Sequence, residues 1–420
     1  MKSIATIFLF LVLSVSIASA NGLSLNNIGP KAFGMAGAFT AISDDYSAVY
    51  WNPAGLTQLK GGQAGIFITD VAPMPSYQYD AAMIDAKGET KHYISPNFYA
   101  YNQYYGGDLT FGLAGYVPSG IGAKWNGDDL KNLSQGTAFE WESMVFTYNI
   151  APTVAYKIND MFSVGAALNI NYGSFEMKRL QQVNPTTAGQ YEEEGTGWGF
   201  GFNVGVLAKL SERIRVGVNY RSKMTVAFEG DAKYAYQSPT GPGLIDTEYE
   251  RDLAWPQVVS GGVAIEPVKD LTFAFDVQWH NWSETQDKIE TTYKDGTDIL
   301  PKDMNLHWED AIQYRVGLNY VADESWQVRC GYYYDPSPAP DKSMNITFPS
   351  NDFNGVNVGC SYAFSSFMID FAAEYLFGAD REITLAVDEQ QLPTNMPGTH
   401  GLNVIGLSIG MTWFFSGDEE

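Results

Sequence analysis

Cysteine is nearly absent: only Cys330 and Cys360 occur in 420 residues, on neighbouring expected strands, where they read as two small lipid-facing residues or as a pair in an oxidising compartment. Charge is scarce too, at 17% against roughly 25% in soluble domains. Bases are the scarcer sign, 25 Lys and Arg against 48 Asp and Glu, and the net charge of -23 repels phosphate. That excludes a nucleic-acid partner. The four histidines, His92, His280, His307 and His400, are scattered and lack the spacing of a metal motif such as H-E-x-x-H. Gly34 opens a Gly-x-x-Gly with no Lys-Ser/Thr after it, so it is no phosphate loop. No cofactor and no metal is expected. Beyond residue 20 no apolar run approaches the roughly 18 residues of a membrane helix.

What is present is glycine and aromatic side chain: 42 Gly, 26 Tyr, 24 Phe and 10 Trp. So many aromatics exclude disorder. Abundant Gly and aromatics with little charge are the composition of a membrane β-barrel, whose apolar residues alternate with polar ones. The start of the chain fits export. Lys2, the apolar run Ile7–Val15 and Ala18-Ser19-Ala20 read as a signal peptide cleaved after residue 20. The alternative is a short membrane anchor, but the run falls short of a span. The mature chain is expected to begin at Asn21, with no Cys there for a lipid anchor.

Alternation then places the chain in an outer membrane. Phe162, Val164, Ala166, Leu168, Ile170 and Tyr172 share one face of a strand; Ser163, Gly165, Ala167, Asn169 and Asn171 share the other. Trp198, Phe200, Phe202, Val204 and Val206 oppose Gly199, Gly201, Asn203 and Gly205. Similar runs start at Leu271, Phe367 and Ile405. A soluble sandwich also alternates, but it has no reason to alternate short turns with long loops as this chain does. Short turns lie near 105–108, 157–160, 210–213, 267–270, 322–325 and 365–366; long loops lie near 70–93, 119–138, 180–195, 232–252, 287–306, 335–351 and 379–400. Short periplasmic turns and long outer loops are the outer-membrane pattern.

The expected fold is all-β: a fourteen-stranded antiparallel transmembrane β-barrel plugged by an N-terminal hatch. The strands read as 62–69, 95–105, 108–118, 139–157, 161–179, 196–210, 213–231, 253–266, 270–286, 308–322, 325–335, 352–364, 366–378 and 402–415. The expected domains are a signal peptide (1–20), the hatch (21–61), the barrel (62–415) and an acidic tail (416–420). The hatch carries Phe33, Met35, Phe39, Ile42, Tyr46, Trp51 and Leu56. A periplasmic tail would be polar, whereas these side chains ask for burial inside the barrel.

The stretch from Ile28 to Leu56, IGPKAFGMAGAFTAISDDYSAVYWNPAGL, resembles the FadL/TodX family of outer-membrane transporters of long-chain fatty acids and hydrophobic compounds. Its hallmarks are Gly34 and Gly37, the acidic pair Asp44-Asp45, and Asn52-Pro53-Ala54. Trp255-Pro256, Phe275–Ser283 and Tyr334–Asp341 extend the resemblance over the mature chain. It implies a monomeric barrel in which a hydrophobic molecule is caught outside and moves to a lumenal pocket touched by the mature N-terminus. Asn21, Phe33 and Phe39 are the candidate lining. The molecule then leaves sideways into the membrane through a kink in the third strand, here at Gly115, Tyr116, Pro118 and Gly120. Pro118 has no N–H for a ladder bond, and the glycines relax the backbone. The alternative is that Pro118 only ends its strand.

Other readings stay open. Asp44 and Asp45 pair with lumenal bases such as Arg215, Arg221, Arg315 and Arg329, or hold a cation. Glu192-Glu193-Glu194 and the acids of 246–252 read as a solvated loop face, or as divalent-cation bridges to lipopolysaccharide among the outer-membrane lipids. The rival functions are an outer-membrane lipid-modifying enzyme, which needs an adjacent Ser and His, and a general porin, which needs an open lumen.

Overall fold

The computed structural model describes residues 22–415 apart from 185, 285–287, 295–299, 301–302 and 388–392. The expected signal peptide, Asn21 and the acidic tail lie outside the described residues.

Fourteen strands close into one antiparallel barrel. They are β1 (Gly62–Tyr79), β2 (Tyr93–Tyr104), β3 (Leu109–Trp125), β4 (Trp141–Lys157), β5 (Phe162–Asn184) and β6 (Thr187–Ser211). Next come β7 (Ile214–Arg221, then Met224–Ser238), β8 (Gly241–Trp255, then Val258–Val268) and β9 (Leu271–His280). The last five are β10 (Ala311–Val321), β11 (Trp326–Asp335), β12 (Phe353–Ala363), β13 (Phe367–Phe377) and β14 (Gly398–Phe415). Each pairs with its neighbour in sequence, and β14 returns to β1 from Gly62↔Phe415 to Gln78↔Thr399, which closes the ring.

Faces sort as the alternation predicts. Leu168, Trp198, Phe200, Phe275, Tyr375 and Ile409 are exposed on the outside, while Asn169, Asn171, Asn203, Asp276 and Ser408 are buried inside. Cys330 and Cys360 are free. Each pairs with a valine of the other strand, Cys330↔Val358 and Val328↔Cys360, so they are diagonal neighbours.

Four expected loops are wholly or partly barrel strand. β1 continues to Tyr79, β3 continues to Trp125, β5 and β6 meet at a tight hairpin, and β7 and β8 meet at another. Above the membrane the alternation persists but its two faces are aromatic and acidic, so it does not read as lipid against lumen. In consequence Glu193 is no loop carboxylate. It points into the outer core and takes a bidentate pair from Arg251, both contacts 2.8 Å, with Tyr191 donating to the same carboxylate. It is therefore unavailable for bridging to lipopolysaccharide.

Residues 22–61 lie within the barrel. α1 (Pro30–Gly34) starts with Pro at a first-turn position, where its missing N–H costs nothing. α2 (Ala48–Trp51) leads into a 3₁₀ turn, Pro53–Gln58. Ala32, Met35, Phe39, Tyr46, Trp51 and Leu56 are buried. The wall makes room with glycine on its inward positions. A side chain at Gly165 would meet Pro53, at Gly205 Asn52, at Gly217 Thr40, and at Gly317 or Gly331 Met35. Backbone thus packs on backbone at β5, β7, β10 and β11.

Candidate functional site

Among the described residues the wall has one long unpaired stretch, between β2 and β3. Their ladder runs from Tyr104↔Leu109 to Phe98↔Gly115 and stops. Above it β2 pairs with β1, through Val71↔Tyr93, and not with β3; β3 continues on β4, and its last residues bridge to Gly88. The cause is local. The β3–β4 register shifts by one residue between Tyr116 and Ser119, so Val117 and Pro118 form a bulge. The freed backbone groups are satisfied nearby, as they must be at membrane depth. Val117 N–H donates to Asn97 Oδ1 at 3.0 Å, Pro118 has no N–H, and Pro118 C=O accepts from Leu25 N–H at 3.1 Å. Ser24 bridges to Ser119, so the N-terminal segment runs antiparallel beside the bulge.

Behind the gap lies a cavity of about 460 Å³, within the range of small-molecule sites. Its outer wall is Tyr93, Ile94 and Pro96 of β2 with Val117, Gly120, Ile121 and Gly122 of β3. Its floor is Leu25, Phe33, Phe353, Leu376, Leu402 and Val404. A side chain at Gly122 would meet the Tyr93 hydroxyl, so the tyrosine reaches across the gap from one edge to the other. Polar groups are few. At the inner end stand Asn26, Asn27, Asp335 and Glu374; at the outer end His92 shares a 2.7 Å hydrogen bond with Asp70. Just beyond the apolar band, Glu142 pairs with Lys91 and Lys124. Partial burial would raise its carboxyl, but the two ammonium groups outweigh that and hold it below the usual range.

The residues expected to form the site separate by their contacts. Phe33 lines the cavity and Gly120 its wall. Gly115 holds the last β2–β3 pair, and Pro118 makes the bulge. Tyr116 points instead into the N-terminal segment, edge-on to Tyr50 at 6.0 Å. Phe39 does not reach the cavity: its ring packs in the core of the N-terminal segment, and its N–H donates to Asp276 at 2.9 Å. The backbone turns away at this point because Asp276 of β9 anchors both Phe39 and Thr40 N–H. Asn21 lies outside the described residues.

The N-terminal motif is a brace. Gly34 packs on Gly359 of β12, and Gly37 has φ +68, with Arg315 and Trp51 where a side chain would go. Asn52 donates to Thr40 C=O at 2.9 Å and to Val206 C=O of β6 at 3.0 Å, and accepts from Ala54 N–H. Pro53 begins the 3₁₀ turn and Ala54 is buried against Gly165. Asp44 pairs with Lys31 at 2.7 Å, and Asp45 accepts from Ser47. Their direct partners therefore belong to the same segment, not to the arginines of the wall. Those arginines serve elsewhere: Arg329 pairs with Asp370, Arg221 stacks on Tyr50, and Arg215 donates to Gln58. Asn52→Ala removes the donor to Thr40 C=O and to Val206 C=O, at a cost of about 1–3 kcal/mol. We expect a lower urea midpoint for the barrel in lipid vesicles and reduced uptake at unchanged surface level. An unaltered midpoint would show that Asn52 braces nothing.

Glu374 and Asp335 were not marked as site residues by the sequence. A signal existed for the first: an acid amid the apolar run of β13, where a membrane strand carries charge only for a reason.

A family model described as "Outer membrane protein transport protein (OMPP1/FadL/TodX)" matches residues 11–415. The long-chain fatty acid transport protein of Escherichia coli (strain K12) is 24% identical, over 90% of this chain and 94% of its own. A Pseudomonas aeruginosa FadL homologue superposes with TM-score 0.78 at 17% identity, covering 94% of this chain and 100% of that one. The P. putida toluene transporter TodX superposes with TM-score 0.76 at 17% identity, covering 93% and 99%.

Proposed function

This chain belongs to the OMPP1/FadL/TodX family of outer-membrane transport proteins, and from that premise we propose that it passes hydrophobic molecules, of the class of long-chain fatty acids or hydrocarbons, by passive lateral diffusion. The observation that carries this reading is the continuity of an apolar cavity with the unpaired stretch between β2 and β3. An apolar ligand leaving there enters lipid directly. It gains roughly 0.8 kcal/mol per buried CH₂ over a path through periplasmic water. In this reading residues 1–20 are a cleaved signal peptide, 21–61 the hatch, 62–415 the barrel and 416–420 a tail. One chain closes the barrel, which supports a monomer as the working unit.

The family consists of transport channels. For this chain we propose no enzymatic activity: His92 bonds Asp70, His400 bonds Met396 C=O, and neither ring nitrogen of the buried His280 bonds a serine. The test is reconstitution in lipid vesicles with a dye-reported hydrophobe added outside and no energy source. Saturable transfer faster than protein-free vesicles is the expected result. Transfer that needs a gradient or ATP, or acyl release from the vesicle lipid, would overturn it.

A further inference from the structure

We infer that the ligand site does not stop at the wall: it continues as a groove on the lipid-facing side of β3 and β4, where the departing hydrophobe lies against Gly120, with Tyr93 as the leaf between the two halves. The inference rests on the transport reading above and adds an outer half to its site.

The two faces of β4 are told apart by parity. Val145 and Thr147 are buried on the lumen side, whereas Val154 and Tyr156 are exposed to lipid. Met144, Phe146 and Tyr148 alternate in step with Val154 and Tyr156, so they face lipid. Yet all three line the same cavity as Phe33 and Leu402 inside the barrel. The cavity therefore folds around the unpaired edge of β3 and opens on its outer side. There Gly120 stands opposite Phe146, and Gly122 opposite Met144.

Glycine holds the outward positions 115, 120 and 122 of β3, whereas lower down the same face carries exposed Phe111 and Leu113. Two of the three are explained by their neighbours. A side chain at Gly115 would strike the Phe98 ring and the Tyr148 hydroxyl, and one at Gly122 would strike the Tyr93 hydroxyl. Gly120 has no such reason. A side chain there would meet nothing nearer than 3.8 Å, so no group of the protein needs the space. Glycine inside a strand weakens it and marks a close approach by another body. Over Gly120 that body is not part of the chain.

The boundaries of the groove fit an apolar molecule. Phe98 and Tyr148 close it below, Tyr93 closes it above, and Phe146 and Met144 flank it. Beyond Tyr93 the contacts of Glu142 with Lys91 and Lys124 end the apolar surface. Among the described residues the Tyr93 hydroxyl makes no hydrogen bond, so its ring turns aside without breaking one. A bilayer acyl chain is the competing occupant. Continuity with the inner cavity favours the transported molecule.

The experiment uses radiolabelled hexadecanoate and hexadecane on the whole mature protein. Equilibrium binding is measured in nanodiscs and entry rate in vesicles, each against a protein-free blank. Gly120→Val fills the groove, and should slow entry at least about tenfold while Kd moves less than about threefold. Tyr93→Ala removes the leaf, and should speed entry about threefold or more. Opposite signs from two neighbouring substitutions are not what a loss of fold produces. If Gly120→Val does not assemble, Phe146→Trp fills the same groove from β4 and should slow entry likewise. Wild-type entry with Gly120→Val, or loss of binding in proportion to rate, would overturn the inference and leave the transport reading standing. Wild-type entry combined with loss of a copurifying phospholipid would assign the groove to the bilayer instead. Unchanged or slower entry with Tyr93→Ala would overturn the leaf. If neither probe enters wild-type vesicles faster than the blank, the transport reading falls and the inference with it.

Discussion

Deleting Pro118 should close the wall and bring uptake of a hydrophobic substrate down to the background of cells lacking the barrel. The bulge holds one residue too many, so removing one restores the register that runs from Leu109↔Tyr156 to Tyr116↔Asn149 on through Ser119. The faces survive the deletion. Tyr116 and Ser119 both point inward across the two-residue bulge, and a single intervening residue returns ordinary alternation. Val117 N–H is then free to enter the β2–β3 ladder in place of its bond to Asn97. The upper part of β3 comes within pairing distance of Tyr93–Asn97, and the path through the wall disappears. Hydrogen exchange should show new protection in β2 and β3 above Phe98. Protection together with wild-type uptake would mean that the molecule does not leave sideways and must pass the N-terminal segment axially.

The second large effect is expected from deleting residues 22–56. The barrel should still assemble and should conduct ions steadily in planar bilayers, where the intact protein conducts little. Strand pairing around the ring does not involve this segment, apart from the short contact of Ser24 and Leu25 with the bulge. The inward glycines that now carry it would line empty space. A fourteen-strand ring is wider than the eight-strand barrels that side chains can fill, so water should occupy it. Unfolding of the deleted protein would be visible as loss of β signal and would show that the segment is needed for closure. A folded deletion that conducts no better than wild type would show that residues 22–56 do not block the lumen.

The strands were legible because period-2 alternation is enforced twice, by lipid outside and by a polar lumen inside. Residues such as Trp198, Gly199, Phe200 and Gly201 leave no other reading. It failed above the membrane, where β5–β6 and β7–β8 continue as strand through stretches expected as loop. There Glu192 and Glu194 face water and Glu193 faces Arg251. One solvent replaces two, and an acidic run looks the same whether it is a loop or a ribbon.

The sequence alone determined the strand number, the inward and outward faces, the burial of the N-terminal segment and the weak point at Pro118, because each follows from neighbours along the chain. The cavity was decided only by tertiary structure. Phe33, Tyr93, Ile121, Asp335, Phe353, Glu374 and Leu402 come from the N-terminal segment and six different strands. Which of them meet depends on register, on the single extra residue in β3, and on glycines that let the segment press against the wall. Asn27 meeting Glu374 and Arg315 meeting Ala36 C=O are properties of that assembly, since these partners lie hundreds of residues apart in the chain.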